Sequence, residues 1–375
     1  KMELDRSGHE IDEITCAVEN AKAAVSGLDE SIPMPHYDPW AFNTEFHYSL
    51  EDPLSHKVAE AGIQDLLNCL PYTFVFVEVI KSVQIRSLSR TYERYGPKQT
   101  LTPQLALQTI IAQGTSDSFT IASLQKGHTT IAIPISQESG HIKVLPIEPW
   151  VPRLFCDFPL VGTEAIELPI IINNPNFNPT DARDGVSLTQ TQRHNPEIDE
   201  NKSIVLEAVE LYYQLLDYAI ANHWGNLHLL AQIRPFNTVP PWVENAWFVE
   251  NVLRPIRTRL LKVPIVTNAS NELVSILSED GSQYIWFPSS AKKENRTKIW
   301  ELSSRWFPHC LPRETDVELW NRLTWEECGK LDVTQLAVFI QKRGTLQQLQ
   351  ETLPNNNAHA WLNNFYELIK CEERH

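Results

Sequence analysis

Glycine is scarce in this chain, with 13 residues in 375. Loops that cradle phosphate use glycine so that backbone N–H groups can approach the anion. The patterns G-x-G-x-x-G, G-x-x-x-x-G-K-[ST] and G-x-S-x-G do not occur, and H-E-x-x-H is missing as well. On motifs alone, no self-contained active site is visible. Positive charge is also short: 32 Lys and Arg stand against 47 Asp and Glu, a net charge of −15. That balance argues against direct nucleic-acid binding, since affinity for phosphates comes from clustered bases. No apolar run reaches the roughly eighteen residues of a membrane-spanning helix; the longest, Tyr72 to Val77, is strand-length. No membrane partner is therefore expected. The opening Lys1-Met2-Glu3-Leu4-Asp5 lacks a secretory pattern, so a cytoplasmic chain is expected. Because residue 1 is not Met, the reading is an interior piece of a longer polypeptide or a chain with its front missing. The cysteines at 16, 69, 156, 310, 328 and 371 form no C-x-x-C pair and read as reduced, mostly buried thiols. His309-Cys310 has no second pair to complete a tetrahedral set, so no metal is expected.

The chain does carry 42% hydrophobic residues, enough to fold, over a length that predicts two or three domains. Ile11, Ile14, Val18, Ala21 and Val25 recur at helical steps and predict a helix ending at Gly27. Pro33, Pro35 and Pro39 make an extended connector, and the alternation over Thr44 to Leu50 predicts a strand. A second helix is predicted from Ser55 on Val58, Ile63, Leu66, Leu67 and Leu70, stopping before Pro71. Tyr72–Val77 and Ser82–Ile85 read as strands. Arg86, Arg90, Arg94 and Lys98, interleaved with Tyr92 and Tyr95, form a basic stretch whose favoured reading is a linker or sheet rim. Thr115–Ser123 and Thr129–Ser136 flank Gln125-Lys126-Gly127-His128 and predict a hairpin.

Prolines crowd residues 146–179 and exclude a long helix there. Within that stretch Glu167–Ile172 reads as a strand, followed by the polar loop Asn178–Gly185. From Asn201, the residues Ile204, Val205, Ala208, Val209, Leu211, Tyr212, Leu215, Leu216 and Ala219 predict the best helix in the chain. Pro235 and Pro240-Pro241 mark a boundary. Beyond it lie eight of the eleven Trp, strand-like segments at Val263–Thr267 and Gln283–Phe287, and a tail of short helices separated by Gly344 and Pro354. The sum is a multidomain α/β (α+β) protein of mixed sheets and packed helices, divided at 1–85, 86–240 and 241–375.

Two groups of segments resemble a known family. They are Thr44–Leu50, Ala59–Leu66, Leu70–Phe76 and Ile80–Val83, then Leu154–Glu164, Leu168–Asn173 and Phe177–Val186. Together they are similar to the bacterial sacsin-type members of the GHKL ATPase superfamily, relatives of the ninety-kilodalton heat-shock chaperones, over roughly residues 1–220. The resemblance implies that residues 1–85 end a nucleotide-binding domain or form its junction. Residues 86–240 are then a middle α/β domain like that of the chaperone ATPases, and 241–375 a Trp-rich C-terminal domain. The family's Glu-x-x-x-Asn helix and Asp-x-Gly-x-Gly loop are not found: Glu13 and Asn20 are seven apart, and Asp184-Gly185-Val186-Ser187 lacks the second glycine. The resemblance therefore places ATP and Mg²⁺ binding upstream of residue 1, in the full-length protein, with neither held by this chain alone.

It also implies a catalytic role for Arg183. In such ATPases the middle domain offers a cation to the terminal phosphate, and Asp181-Ala182-Arg183-Asp184 resembles the family's Arg-bearing loop after a strand. A fixed guanidinium suits the charge that builds on transferred phosphoryl oxygens. The competing reading is that Arg183 pairs with Asp181 and Asp184. Arg153 and Arg193 are weaker substitutes, and Glu164 with Glu167 carries little weight as a hydrolase pair in so acidic a chain. The function implied is ATP-driven remodelling or signalling in the full-length protein, in chaperone work or antiviral defence, with a protein client or partner and a homodimer among the assemblies allowed. The alternative is a non-catalytic scaffold that binds a partner or client.

Overall fold

The computed structural model describes residues 11–26, 50, 52–190, 194–353 and 357–373. The chain divides into two compact units, 1–59 and 60–375. In the first, helix α1 (Ile11–Ser26) matches the predicted helix and opens on Asp12 and Glu13, acids that suit the positive end of a helix. The connector at 31–40, and the strand expected at Thr44–Leu50 apart from Leu50, lie outside the described residues. Helix α2 (Pro53–Phe76) begins on Asp52, whose Oδ1 accepts from the Leu54 and Ser55 backbone amides at 2.7 and 2.9 Å.

Helix α2 does not stop before Pro71, and the strand expected over Tyr72–Val77 is its last turns. Pro71 leaves the Leu67 carbonyl without an i+4 donor, yet the helix continues because Cys69 to Val75 are all buried. A short run that is apolar on every side has no period, so a buried helix end and a strand look alike in sequence. Packing decides in favour of the helix.

That packing is against a nine-stranded mixed sheet. Its strands are β1 (Ser82–Ile85), β2 (Arg90–Thr100), β3 (Leu105–Gln113), β4 (Ser118–Lys126), β5 (Thr129–Glu138), β6 (His141–Val144), β7 (Leu154–Cys156), β8 (Phe158–Pro159) and β9 (Ile171–Asn173). They run in the order β1-β2-β3-β4-β5-β9-β7-β8, with β6 also on β5, and only β7 and β9 pair in parallel. The predicted hairpin is β4–β5, closing at Lys126 opposite Thr129. The basic stretch falls largely on β2, second in the order, which pairs with β1 and β3. Arg94 on it caps α2: its guanidinium donates to the carbonyls of Phe74, of Val77 at 2.9 Å and of Ile80 at 2.5 Å.

Alternation along each strand sends side chains to opposite faces. Leu105, Leu107, Ala122, Leu124, Ile131 and Ile133 meet helix α3 (Pro196–Ala221) in the largest apolar cluster. Their neighbours Ile110, Ala112, Ile121, Ala132 and Ile171 meet the end of α2 in a second cluster, with Phe155 edge-on to Tyr72 and Phe76. The stripe read as one apolar side of α2 is divided: Leu67 and Leu70 pack here, while Ile63 and Leu66 stay exposed.

Helix α3 starts earlier than Asn201, with Asn195 accepting from the Glu197 amide and Pro196 in the first turn. Beyond it, α4 (Asn245–Phe248) runs through a wider π turn into α5 (Arg254–Lys262). The largest cluster continues through Phe248, Leu260 and Ile285 to Trp320 and Cys328, so it draws residues from both sides of position 240. Short pairs follow, β10 (Val266–Thr267) with β11 (Leu273–Val274), and β12 (Trp286–Pro288) with β13 (Gly329–Leu331). Helices α6 (Lys293–Ser304), α7 (Val317–Leu323), α8 (Val333–Gln341), α9 (Leu346–Thr352) and α10 (Ala358–Glu373) complete the chain. All of these but α7 supply a third cluster around Leu336, Trp361 and Leu368. Among the described residues no helix is long and apolar enough to cross a membrane.

Candidate functional site

The loop that carries Arg183 is a clasp closed at its base. Pro179 bridges Val186, and the Thr180 amide donates to the Gly185 carbonyl at 2.9 Å. The Arg183 amide returns to the Thr180 carbonyl at 2.9 Å, while the Thr180 hydroxyl donates to Asp184 Oδ1 at 2.6 Å. Each bond satisfies a polar group that a free loop would leave to water. Two close approaches brace the clasp. A Cβ on Gly185 would lie 2.2 Å from the Trp242 ring, and one on Gly162 would lie 2.8 Å from the Asp184 carbonyl oxygen. Neither contact leaves room for a side chain.

Beneath the clasp sits Asn201, which is fully buried on α3. Its Oδ1 accepts from the Asn178 amide at 2.8 Å, and its Nδ2 donates to the carbonyls of Asn178 at 2.9 Å and Ser187 at 3.1 Å. Both ends of the loop are thus tied to one side chain. Asn178 Nδ2 adds a bond to Glu200 Oε2 at 2.9 Å. The sequence signal was present but easily missed: Asn201 is a polar residue on the same stripe as Ile198, Val205 and Ala208.

At the tip, Arg183 is exposed and its φ is 54°, the left-handed region. Side chains other than glycine, asparagine and aspartate rarely occupy it, at a cost of about 1 kcal/mol or more. Among the described residues no carboxylate lies within ion-pair distance of its guanidinium, and the pairing with Asp181 and Asp184 is not formed. Asp184 instead receives the Thr180 hydroxyl. The arrangement is a fixed backbone presenting an un-neutralised cation to solvent.

No family model, curated protein or solved structure matches this chain. The geometry therefore stands on its own.

The other sequence candidates are placed differently. Arg153 is buried, and its guanidinium is spent on main-chain carbonyls of Leu168 at 3.2 Å, Glu148 at 3.3 Å and Val151. Burial pulls its pKa down to about 10, so it stays charged at neutral pH while aimed at its own backbone. Arg193 lies outside the described residues. Glu164 and Glu167 both line a cavity of about 520 Å³, but not as an acid–base couple. Glu167 pairs with Arg234 at 3.5 Å, and Glu164 accepts from the Gly162 amide at 2.7 Å. Burial raises the Glu164 pKa above the usual carboxylate value. Among the described residues no three His, Cys, Asp or Glu side chains gather as metal ligands. His309 holds Glu272 at 3.2 Å, and the six cysteines are free thiols, of which Cys69 and Cys328 are buried and Cys16 is exposed.

Proposed function

We propose that this chain is part of a sacsin-like GHKL ATPase, and that Arg183 is the cation its middle region offers to the terminal phosphate of ATP. The observation that carries this reading is the mounting of Arg183: a guanidinium with no ion-pair partner among the described residues, on a strained backbone, held by a loop whose two ends are fastened to buried Asn201. Pre-set donors stabilise a transition state best when they need no reorganisation at the moment of reaction. ATP and Mg²⁺ are held by the rest of the polypeptide in this reading. Hydrolysis is coupled to remodelling of a protein client or to signalling, in a chaperone or antiviral defence setting.

Titration calorimetry with ATP and Mg²⁺ tests the division of labour. The chain alone is expected to give no binding heat, and the full-length polypeptide a saturable one. Micromolar binding by the chain alone would overturn the placement of the nucleotide fold. A second reading, a partner-binding scaffold without catalysis, is favoured by the exposure of Ile63 and Leu66 on α2 at 38% and 42%. It predicts no ATP turnover by the full-length polypeptide.

A further inference from the structure

Four aromatic rings from three separate stretches of the sequence meet beside the end of α8. Trp286 stands edge-on to Phe339 at 5.3 Å and 89°, and Phe307 stands edge-on to the same ring at 5.6 Å and 84°. Trp306 joins them through Phe307 at 5.7 Å. Such edge-to-face pairs are the preferred packing of aromatic quadrupoles. None of the four is fully buried. They wall a cavity of about 390 Å³, within the roughly 300–1,000 Å³ typical of small-molecule sites.

The mouth of this cavity is cationic. Lys342 Nζ lies 5.9 Å from the centre of the Phe339 ring, and Arg343 Cζ lies 5.2 Å from that of Trp306. Cations at a helix C-terminus are favoured by the helix dipole in any protein, but here both also sit over rings of the cavity wall. Among the described residues no carboxylate lines the cavity and neither cation has an ion-pair partner. In a chain of net charge −15, two adjacent un-neutralised cations above an apolar hollow are a specific arrangement. The remaining wall residue, Cys310, has its thiol pKa raised by burial, so it contributes a soft apolar surface and not a nucleophile.

We propose that this cavity binds a small organic anion with a flat apolar body, the rings taking the body and Lys342 with Arg343 taking the carboxylate, sulfonate or phosphate. The site is separate from the Arg183 loop and does not depend on the ATPase reading. The probe is 8-anilinonaphthalene-1-sulfonate, titrated into the whole chain by fluorescence. One saturable equivalent is expected, displaced by 2-naphthoate and at least tenfold less well by the neutral 2-naphthalenemethanol. Lys342→Glu with Arg343→Glu is expected to weaken the sulfonate at least tenfold while leaving the neutral N-phenyl-1-naphthylamine unchanged. The milder Lys342→Gln with Arg343→Gln keeps the test open if charge reversal disturbs folding, with a loss of threefold or more. Cys310→Trp, which fills the hollow, is expected to abolish both, and Arg183→Ala to alter neither. Absence of a saturable site, equal displacement by the neutral alcohol, or unchanged sulfonate affinity in the Gln variant would each overturn the proposal.

Discussion

Arg183→Ala in the full-length polypeptide is expected to slow ATP turnover roughly a thousandfold while leaving the KM for ATP within a factor of two. The asymmetry follows from when the charge appears. In the proposed ATPase, ground-state ATP would be held elsewhere, and a guanidinium at the loop tip would meet full demand only as negative charge spreads over the phosphoryl oxygens. Removing it therefore lowers kcat without loosening substrate. Arg183→Lys is expected to recover only part of the rate, since ammonium supplies charge without the planar fork. Steady-state kinetics on the three proteins decides the matter. A kcat unchanged by Arg183→Ala would leave this arginine an ordinary surface residue.

The second large effect concerns the mount. Asn201→Ala removes three hydrogen bonds at a fully buried position and leaves the Asn178 amide and the carbonyls of Asn178 and Ser187 unsatisfied. Each orphaned buried group costs about 1–3 kcal/mol, partly relieved by water entering the vacated space, so a net loss of about 3 kcal/mol is expected. Urea denaturation measures it. Amide exchange supplies the local readout, because Thr180 and Arg183 donate within the same loop and should exchange faster. Equal midpoints and equal exchange rates would mean that the loop is held by its own hydrogen bonds and by the Gly185 and Gly162 contacts, without need of Asn201.

How much was readable beforehand varies with the kind of signal. The β4–β5 hairpin was legible because Gln125-Lys126-Gly127-His128 interrupts two alternating runs. Helix α3 is legible from its stripe, although the apolar stripe alone places its start five residues after the Asn195-Pro196 cap. The end of α2 reads as a strand in sequence because total burial erases periodicity. Resemblance alone marks Arg183, and its having no ion-pair partner among the described residues depends on where Asp184 turns, which no spacing reports. The aromatic cavity was not legible at all. Trp286, Trp306 and Phe339 are each unremarkable as core candidates, and only the fold makes them neighbours.

The contact between the end of α2 and the sheet bears on how the polypeptide can be cut. An excised fragment beginning at Arg86 would keep every strand except β1 yet strip the cover from Ile110, Ile121 and Ile171, each nearly or wholly shielded in the intact chain. It would also deprive Arg94 of the carbonyls it grips. The smallest piece able to stand by itself in solution must therefore reach back far enough to bring its own roof.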